Sequence, residues 1–283
     1  MKLGFETAPA LFGVHRIAVP LMDTRSAHSL ARAIEHAASE SLLHQAEVSA
    51  RLRHHAGALP PVSRVAVFMA APWGTPNLAQ GRPDFAPAFD ALTPRIRSLF
   101  GEVSTTLHAH ASVAVHGLRT AYPHEEHALL VSVNGEVSEL LLLEDGRVVG
   151  HATAPIGSGH VLRTLKSHAG QSEHEARSAL HLDHKSEATE AAAAHFATEI
   201  KQAARELLRG QGQGSVFVLA HEPAAEWFAR SLARRELADL YPQGGVVRAF
   251  RSSSISPFVA HHGTQDTHVL LDALYTANSL AHR

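Results

Sequence analysis

The chain has 283 residues, enough for one large two-lobed domain or two modest ones, since a domain commonly takes about 100–200 residues. Apolar residues make up 45% and charged residues 18%, which is typical of a folded globular protein. The 25 lysines and arginines against 27 acids leave a formal charge of −2, which argues against binding to nucleic acid or to an anionic membrane. The chain has no cysteine, which excludes disulfides and thiolate metal sites.

Two further features of the sequence concern location and pH. The first residues lack a basic segment followed by an apolar run, and no apolar stretch is long enough to span a bilayer, so we expect a cytoplasmic protein. The chain also carries 23 histidines, an unusually large number. Because histidine titrates near pH 6.5, mild acid would make the protein strongly positive.

The first third of the chain shows strand and helix patterns in alternation. Residues 11–19 predict a strand, and apolar side chains at helical spacing predict one long helix from Ala27 to His55. The almost continuous apolar run from Val62 to Ala71 predicts a strand buried on both faces. Residues 72–95 are rich in proline and glycine and predict an irregular excursion or a short linking subdomain.

The rest of the chain predicts a second group of strands followed by helices. In chain order, the predicted elements are a helix around Ser112–Thr120, strands at His127–Val133, Ser138–Leu143 and Arg147–Ala154, a helix-rich stretch at 172–210, a strand at Ser215–Ala220 and a helix at Ala224–Leu240. Asp145-Gly146 has the composition of a hairpin turn. The segment Gly157-Ser-Gly-His160 is predicted to open a helix.

The order of elements in residues 128–165 resembles the second lobe of the actin-like ATPases, and more narrowly the FtsA/PilM type. In that family the first strand, turn and strand hold the nucleotide phosphates, and a glycine-rich segment leads into the next helix. Residues 171–177 (QSEHEAR) are similar to the start of the helix that follows. The resemblance implies an α/β, actin-like (ribonuclease-H-like) two-lobed fold with mixed sheets flanked by helices and a reduced first-lobe insert. The lobes would be residues 1–106 and 107–283.

The resemblance places candidate nucleotide-contacting residues in three turns. They are Ser132, Asn134, Gly135 and Ser138; then Gly157, Ser158, Gly159 and His160; and, on the adenosine side, Ala220 and His221. The family's motifs are degraded here: the first turn lacks the Asp that positions magnesium or water, and Ala-His-Glu-Pro replaces a Gly-Gly pair in the third. No opening phosphate motif is found in residues 1–26. We therefore predict no catalytic residues, and either no cofactor or ATP with magnesium if the nucleotide site survives.

The function expected from this resemblance is a catalytically degenerate scaffold in a pilus-type, secretion-type or cell-division assembly at the inner face of a membrane. It would bind a protein partner and no nucleic acid, and self-association is compatible with it. The last helix is not followed by a basic amphipathic segment, so we expect no direct membrane anchor. Two alternatives stay open: a working Mg-ATP enzyme in which Glu136 or Glu139 replaces the missing Asp, and a pH-responsive binding module that uses the histidine excess.

Two groups of residues allow both a functional and a structural interpretation. Residues 157–160 either contact an anion at a helix N-terminus or form a strand-to-helix turn, and the turn is favoured. His124 and His127, like His181 and His184, are three residues apart and could contribute to a metal site. The favoured interpretation is a surface bias toward histidine, so no metal is predicted.

Overall fold

The computed structural model describes residues 10–11, 27–56, 62–71, 74–77, 82–85, 88–182, 184–208, 213–235, 237, 240–241, 245–261 and 266–281. The strands in these ranges are β1 Ala10–Leu11, β2 Arg64–Met69, β3 Gly74–Asn77, β4 Arg82–Phe85, β5 Ser104–Ala109, β6 Ala128–Val133, β7 Ser138–Glu144, β8 Arg147–Ala154, β9 Ser215–Leu219, β10 Val247–Ala249 and β11 Ala260–His261. The helices are α1 Ala27–Ala56, α2 Ala88–Phe100, α3 His110–Ala121, α4 Ser158–Ala169, α5 Glu173–His181, α6 Glu187–Leu208, α7 Ala225–Arg235, α8 Ser252–Ile255 and α9 Thr267–Ala281. No described helix is long and apolar enough to cross a bilayer.

A five-stranded mixed sheet organises residues 128–261, with the strand order β10-β9-β6-β7-β8. Strands β6, β9 and β10 are parallel, whereas β7 runs antiparallel to β6 and β8. Every residue of β6 and β9 is buried, as expected for central strands with helices on both faces. The carboxyl ends of the three parallel strands therefore meet at one edge, beside the start of β7 and the end of β8.

Each face of this sheet carries its own apolar core. Leu129, Val131 and Val133 of β6 point into a core that includes Phe196 of α6 and Phe228 of α7. Their neighbours Ala128 and Leu130 point to the opposite face, where α3 and α9 pack. This alternation is the period-two pattern of a strand. Fully burying a Leu or Phe side chain contributes roughly 1.5–3 kcal/mol, so these faces fix the strand register.

Smaller pairings lie outside the main sheet. Strands β2 and β5 pair in parallel, β3 and β4 form an antiparallel hairpin, and β1 pairs in parallel with β11. The long helix α1 packs against α2. The predicted long helix and the predicted helices and strands of the main sheet are confirmed, although α7 ends at Arg235.

Two expectations about the first third of the chain need correction. The excursion at 72–95 contains the hairpin β3–β4 and the start of α2. Prolines 76 and 83 face each other in that hairpin, and because neither has an N–H group they occupy a non-hydrogen-bonded pair, where the ladder needs no donor from them. Helix α2 continues through Pro94 because Leu92 and Ile96, on either side of it, are both buried. In β2, residues 64–68 are half-buried and not fully buried, and the strand predicted at 11–19 lies almost wholly outside the described residues.

Candidate functional site

The candidate site is the edge of the main sheet where β6 and β9 end. The register pairs Ser132 with both Glu139 and Leu219, and Ser138 with Ala154. The turn between β6 and β7, the segment between β8 and α4, and the turn after β9 therefore emerge at the same edge. The structure thus brings to one edge the three turns in which the sequence places candidate residues.

The N-terminus of α4 is bonded to the turn between β6 and β7. The N–H groups of Ser158 and Gly159 donate to the carbonyl oxygens of Asn134 and Gly135, at 2.8 and 2.7 Å, and the Ser158 hydroxyl also donates to Asn134 O at 3.1 Å. The backbones are so close that a Cβ at Gly157 would lie 2.5 Å from Asn134 O. A helix N-terminus offers free N–H groups that often bind anions, but here two of them are already engaged.

The two serines of the first turn point to opposite faces of the sheet. Ser138 belongs to the face of α4 and α6, and its hydroxyl donates to Ile156 O at 2.6 Å. Ser132 lies on the other face with Glu139, and its hydroxyl oxygen is buried without a hydrogen-bond partner. The Asn134 Nδ2 atom is likewise buried and unpartnered. Two side chains of this turn, Ser132 and Asn134, therefore keep a buried polar atom that no described residue uses.

Glu136, one of the two acids considered as a replacement for the missing Asp, is paired with a cation. Arg163 of α4 donates to both carboxylate oxygens, at 2.8 and 2.6 Å. The hydrogen bonds from Arg163 hold the pKa of Glu136 below its usual value. The Glu136 carboxylate lies against the α4 N-terminus, since a Cβ at Gly159 would be 2.7 Å from its Oε1 atom. The His160 ring lies 5.3 Å from the His195 ring, tilted by 39°.

Glu139, the other acid considered, is completely buried on β7. The N–H of Ala71, just after β2, donates to its Oε2 atom at 3.3 Å. Its Oε1 atom lies 3.4 Å from His151 Nε2, and neither of these two atoms has a hydrogen-bond partner among the described residues. Glu139 therefore joins the end of β2 to the main sheet.

A buried polar cluster that the sequence did not predict lies beside Glu139. His110, at the start of α3, has its Nε2 atom 3.2 Å from His268 Nδ1 and 3.9 Å from Asp272 Oδ1. Burial lowers the pKa of His110 to about 4, although the charge of Glu139 opposes this shift. Burial raises the pKa of Asp272 to about 8, and its side chain keeps 29% exposure. The one available signal in the sequence was an acid within the apolar run Leu270–Leu274.

In the turn after β9, which the resemblance places on the adenosine side, the side chain of Glu222 forms hydrogen bonds with two neighbouring helices. Ala220 is buried and His221 is exposed. The Glu222 carboxylate accepts hydrogen bonds from the Ser252 N–H at 2.6 Å, the Ser252 hydroxyl at 3.0 Å and the Thr267 hydroxyl at 2.8 Å. The turn is thus tied to the first residues of α8 and α9.

Comparison with known proteins identifies the fold. No protein-family model and no curated protein matches the sequence. Among solved structures, the MamK double helical filament aligns with a TM-score of 0.52 at 12% identity, over 93% of this chain and 79% of that one. The fold is actin-like.

Two further solved structures are similar at lower scores. The ethanolamine utilization protein EutJ from Carboxydothermus hydrogenoformans aligns with a TM-score of 0.49 at 14% identity, over 84% of this chain and 74% of that one. The PilM-PilN type IV pilus biogenesis complex aligns with a TM-score of 0.48 at 14% identity, over 69% of this chain and 57% of that one. The assignment therefore rests on MamK, and it confirms the predicted fold class without establishing an activity.

Proposed function

We propose that the protein is an actin-like scaffold that works without nucleotide and binds a protein partner in a membrane-associated assembly of pilus or secretion type. The observation that carries this proposal is the bonding of the α4 N-terminus to the turn between β6 and β7. The helix amides that an anion would use at this edge are donated to the protein's own carbonyl groups.

A phosphate at this position would have to displace backbone hydrogen bonds. Ser158 and Gly159 would turn their N–H groups to the ligand, and the carbonyls of Asn134 and Gly135 would lose these donors. Asn134 is half-buried and Gly135 is exposed, so each of these hydrogen bonds contributes about 0.5–1.5 kcal/mol, and their loss offsets part of the gain from binding an anion.

Neither acid considered in place of the missing Asp is free to hold magnesium. Glu136 is held bidentately by Arg163, and Glu139 is buried with one oxygen bonded to the Ala71 amide. A metal at Glu136 would therefore replace an existing contact, and a metal at Glu139 would have to reach the unpartnered Oε1 atom of a completely buried side chain. Both arrangements support a scaffold over a Mg-ATP enzyme.

The partner and the location belong to the same proposal. The similar MamK structure is a double helical filament, which makes self-association the first form of assembly to test. A pilus-type partner at the inner face of the membrane follows from the sequence resemblance to the FtsA/PilM type. Cross-linking in the host cell, followed by mass spectrometry, should recover a component of a membrane assembly; recovery of soluble enzymes alone would contradict this role.

Titration calorimetry with Mg-ATP tests the absence of nucleotide binding. We expect no binding heat, and no change in melting temperature at millimolar nucleotide. A site with a Kd of about 10 μM would instead raise the free energy of unfolding by about 4 kcal/mol at 5 mM ATP, which a melting curve resolves readily. Such binding, if it were abolished in Gly157→Ala and kept in Gly135→Ala, would restore the nucleotide site and overturn the proposal.

A further inference from the structure

Three metal-ligating side chains meet at the edge of the main sheet opposite the candidate nucleotide edge. Glu126 and His127 directly precede β6, and Asp145 lies in the turn between β7 and β8. One ligand atom from each of the three lies within 4.8 Å of the others. From this arrangement we propose that Glu126, His127 and Asp145 form a binding site for a divalent first-row transition metal ion, with Zn²⁺ as the type case.

The backbone holds the two loops together before any ion binds. The N–H of Gly146 donates to Glu126 O at 3.0 Å, which fixes the turn between β7 and β8 against the loop that leads into β6. Gly214 adopts a left-handed φ of 76° and packs on the His127 carbonyl so closely that a Cβ there would overlap it. The three ligands are therefore carried by constrained backbone, as a metal site requires.

The three side chains are also unused by the rest of the protein. Among the described residues, none of them makes a hydrogen bond or an ion pair, although the Arg119 side chain passes beside Gly146. The adjacent Glu125 is engaged, since it accepts from the Ser215 hydroxyl at 3.1 Å and lies 3.7 Å from Arg248. Two carboxylates without a cation repel each other, and a divalent ion between them would remove that repulsion.

The donor set indicates the class of metal. One imidazole nitrogen and two carboxylate oxygens suit Zn²⁺ and its first-row neighbours, whereas Ca²⁺ and Mg²⁺ prefer oxygen ligands alone. Three protein ligands leave a fourth tetrahedral position for water. Glu126 and Asp145 are exposed and His127 is half-buried, so an ion reaches the site directly from solvent. The bound ion would clamp the turn between β7 and β8 to the start of β6.

The test must separate this site from the other histidines of the chain. Chelator-treated full-length protein is titrated with ZnCl₂ by calorimetry, alongside the site variants His127→Gln and Asp145→Asn and the neighbouring controls His124→Gln and Glu144→Gln. Asparagine tolerates the left-handed φ of 49° at position 145, so that turn should keep its geometry. Circular dichroism melting in chelator checks that each variant folds.

We expect one micromolar Zn²⁺ site per chain in the parent protein. Its affinity should fall at least tenfold in both site variants and stay within about twofold in both controls, because removing one ligand weakens a three-ligand site strongly. Equal affinities in all five proteins, or no micromolar site in the parent, would overturn the proposal. If a site variant fails to fold, Glu126→Gln replaces it with the same expected loss.

Discussion

Replacing Gly157 with alanine tests whether the turn between β6 and β7 and the N-terminus of α4 are in contact as described. The added Cβ would lie 2.5 Å from Asn134 O and 2.6 Å from Gly135 O, both backbone atoms that cannot rotate away. Relief requires the turn and the helix to separate, which would stretch the bonds from Ser158 and Gly159. Overpacking of this kind costs about 1–3 kcal/mol.

The matched control is Gly135→Ala in the same turn. Gly135 has open space at its Cβ position and no left-handed φ, so alanine should be neutral or slightly stabilising there. Urea unfolding followed by circular dichroism gives both free energies, and the melting temperature of Gly157→Ala should fall by about 2–10 °C. Equal stability of the two variants would refute the close contact and, with it, the reason for regarding the α4 amides as engaged.

Two further predictions concern pH and the exposed ion pair. Between about pH 6.5 and pH 4, His110 is protonated in the unfolded chain but not in the folded chain. As the pH drops through this window, His110 alone therefore lowers the free energy of unfolding by on the order of 3 kcal/mol. Asp272 acts in the opposite direction, because the folded chain keeps its proton up to about pH 8 and its contribution to stability falls as the pH rises. Relative to the parent, His110→Gln should therefore gain stability toward pH 4 and Asp272→Asn toward pH 8 in urea unfolding; parallel profiles would contradict this. Glu136→Gln should cost at most about 1 kcal/mol, since the pair with Arg163 is exposed, and a loss above about 3 kcal/mol in the same assay would show that the acid does more than bind this arginine.

The sequence predicted the elements that local pattern determines. The strands β6, β7 and β8 follow from alternating or continuous apolar runs separated by the turns at Asn134–Val137 and Asp145–Gly146. The start of α5 was visible in QSEHEAR, where Ser172 and Glu175 form a capping box. Strand β10 and helix α8 were missed because three and four residues are too short to show periodicity. The position of β10 depends on β9, with which it pairs, and α8 packs against α3 and α9.

For the candidate site, the sequence could predict only which three turns lie together. The family resemblance named the three turns, and strand order alone brings them to one edge. The resemblance could not show that Ser158 and Gly159 donate to the neighbouring turn, because a hydrogen bond forms or fails with changes of a few tenths of an ångström in the separation of the two backbones. The cluster of His110 and His268 joins residues 158 positions apart, and nothing in either local pattern links them.

The hydrogen bond from the Ala71 amide to Glu139 restricts how far the end of β2 can move away from the main sheet. Any movement that carries the end of β2 away from the main sheet leaves a fully buried carboxylate without this donor. A hydrogen bond contributes about 0.5–1.5 kcal/mol, so this bond of 3.3 Å by itself lowers the population of such an open state by a factor of about 2–10. The hydrogen bond to Glu139 therefore makes movement of the end of β2 away from the main sheet less frequent.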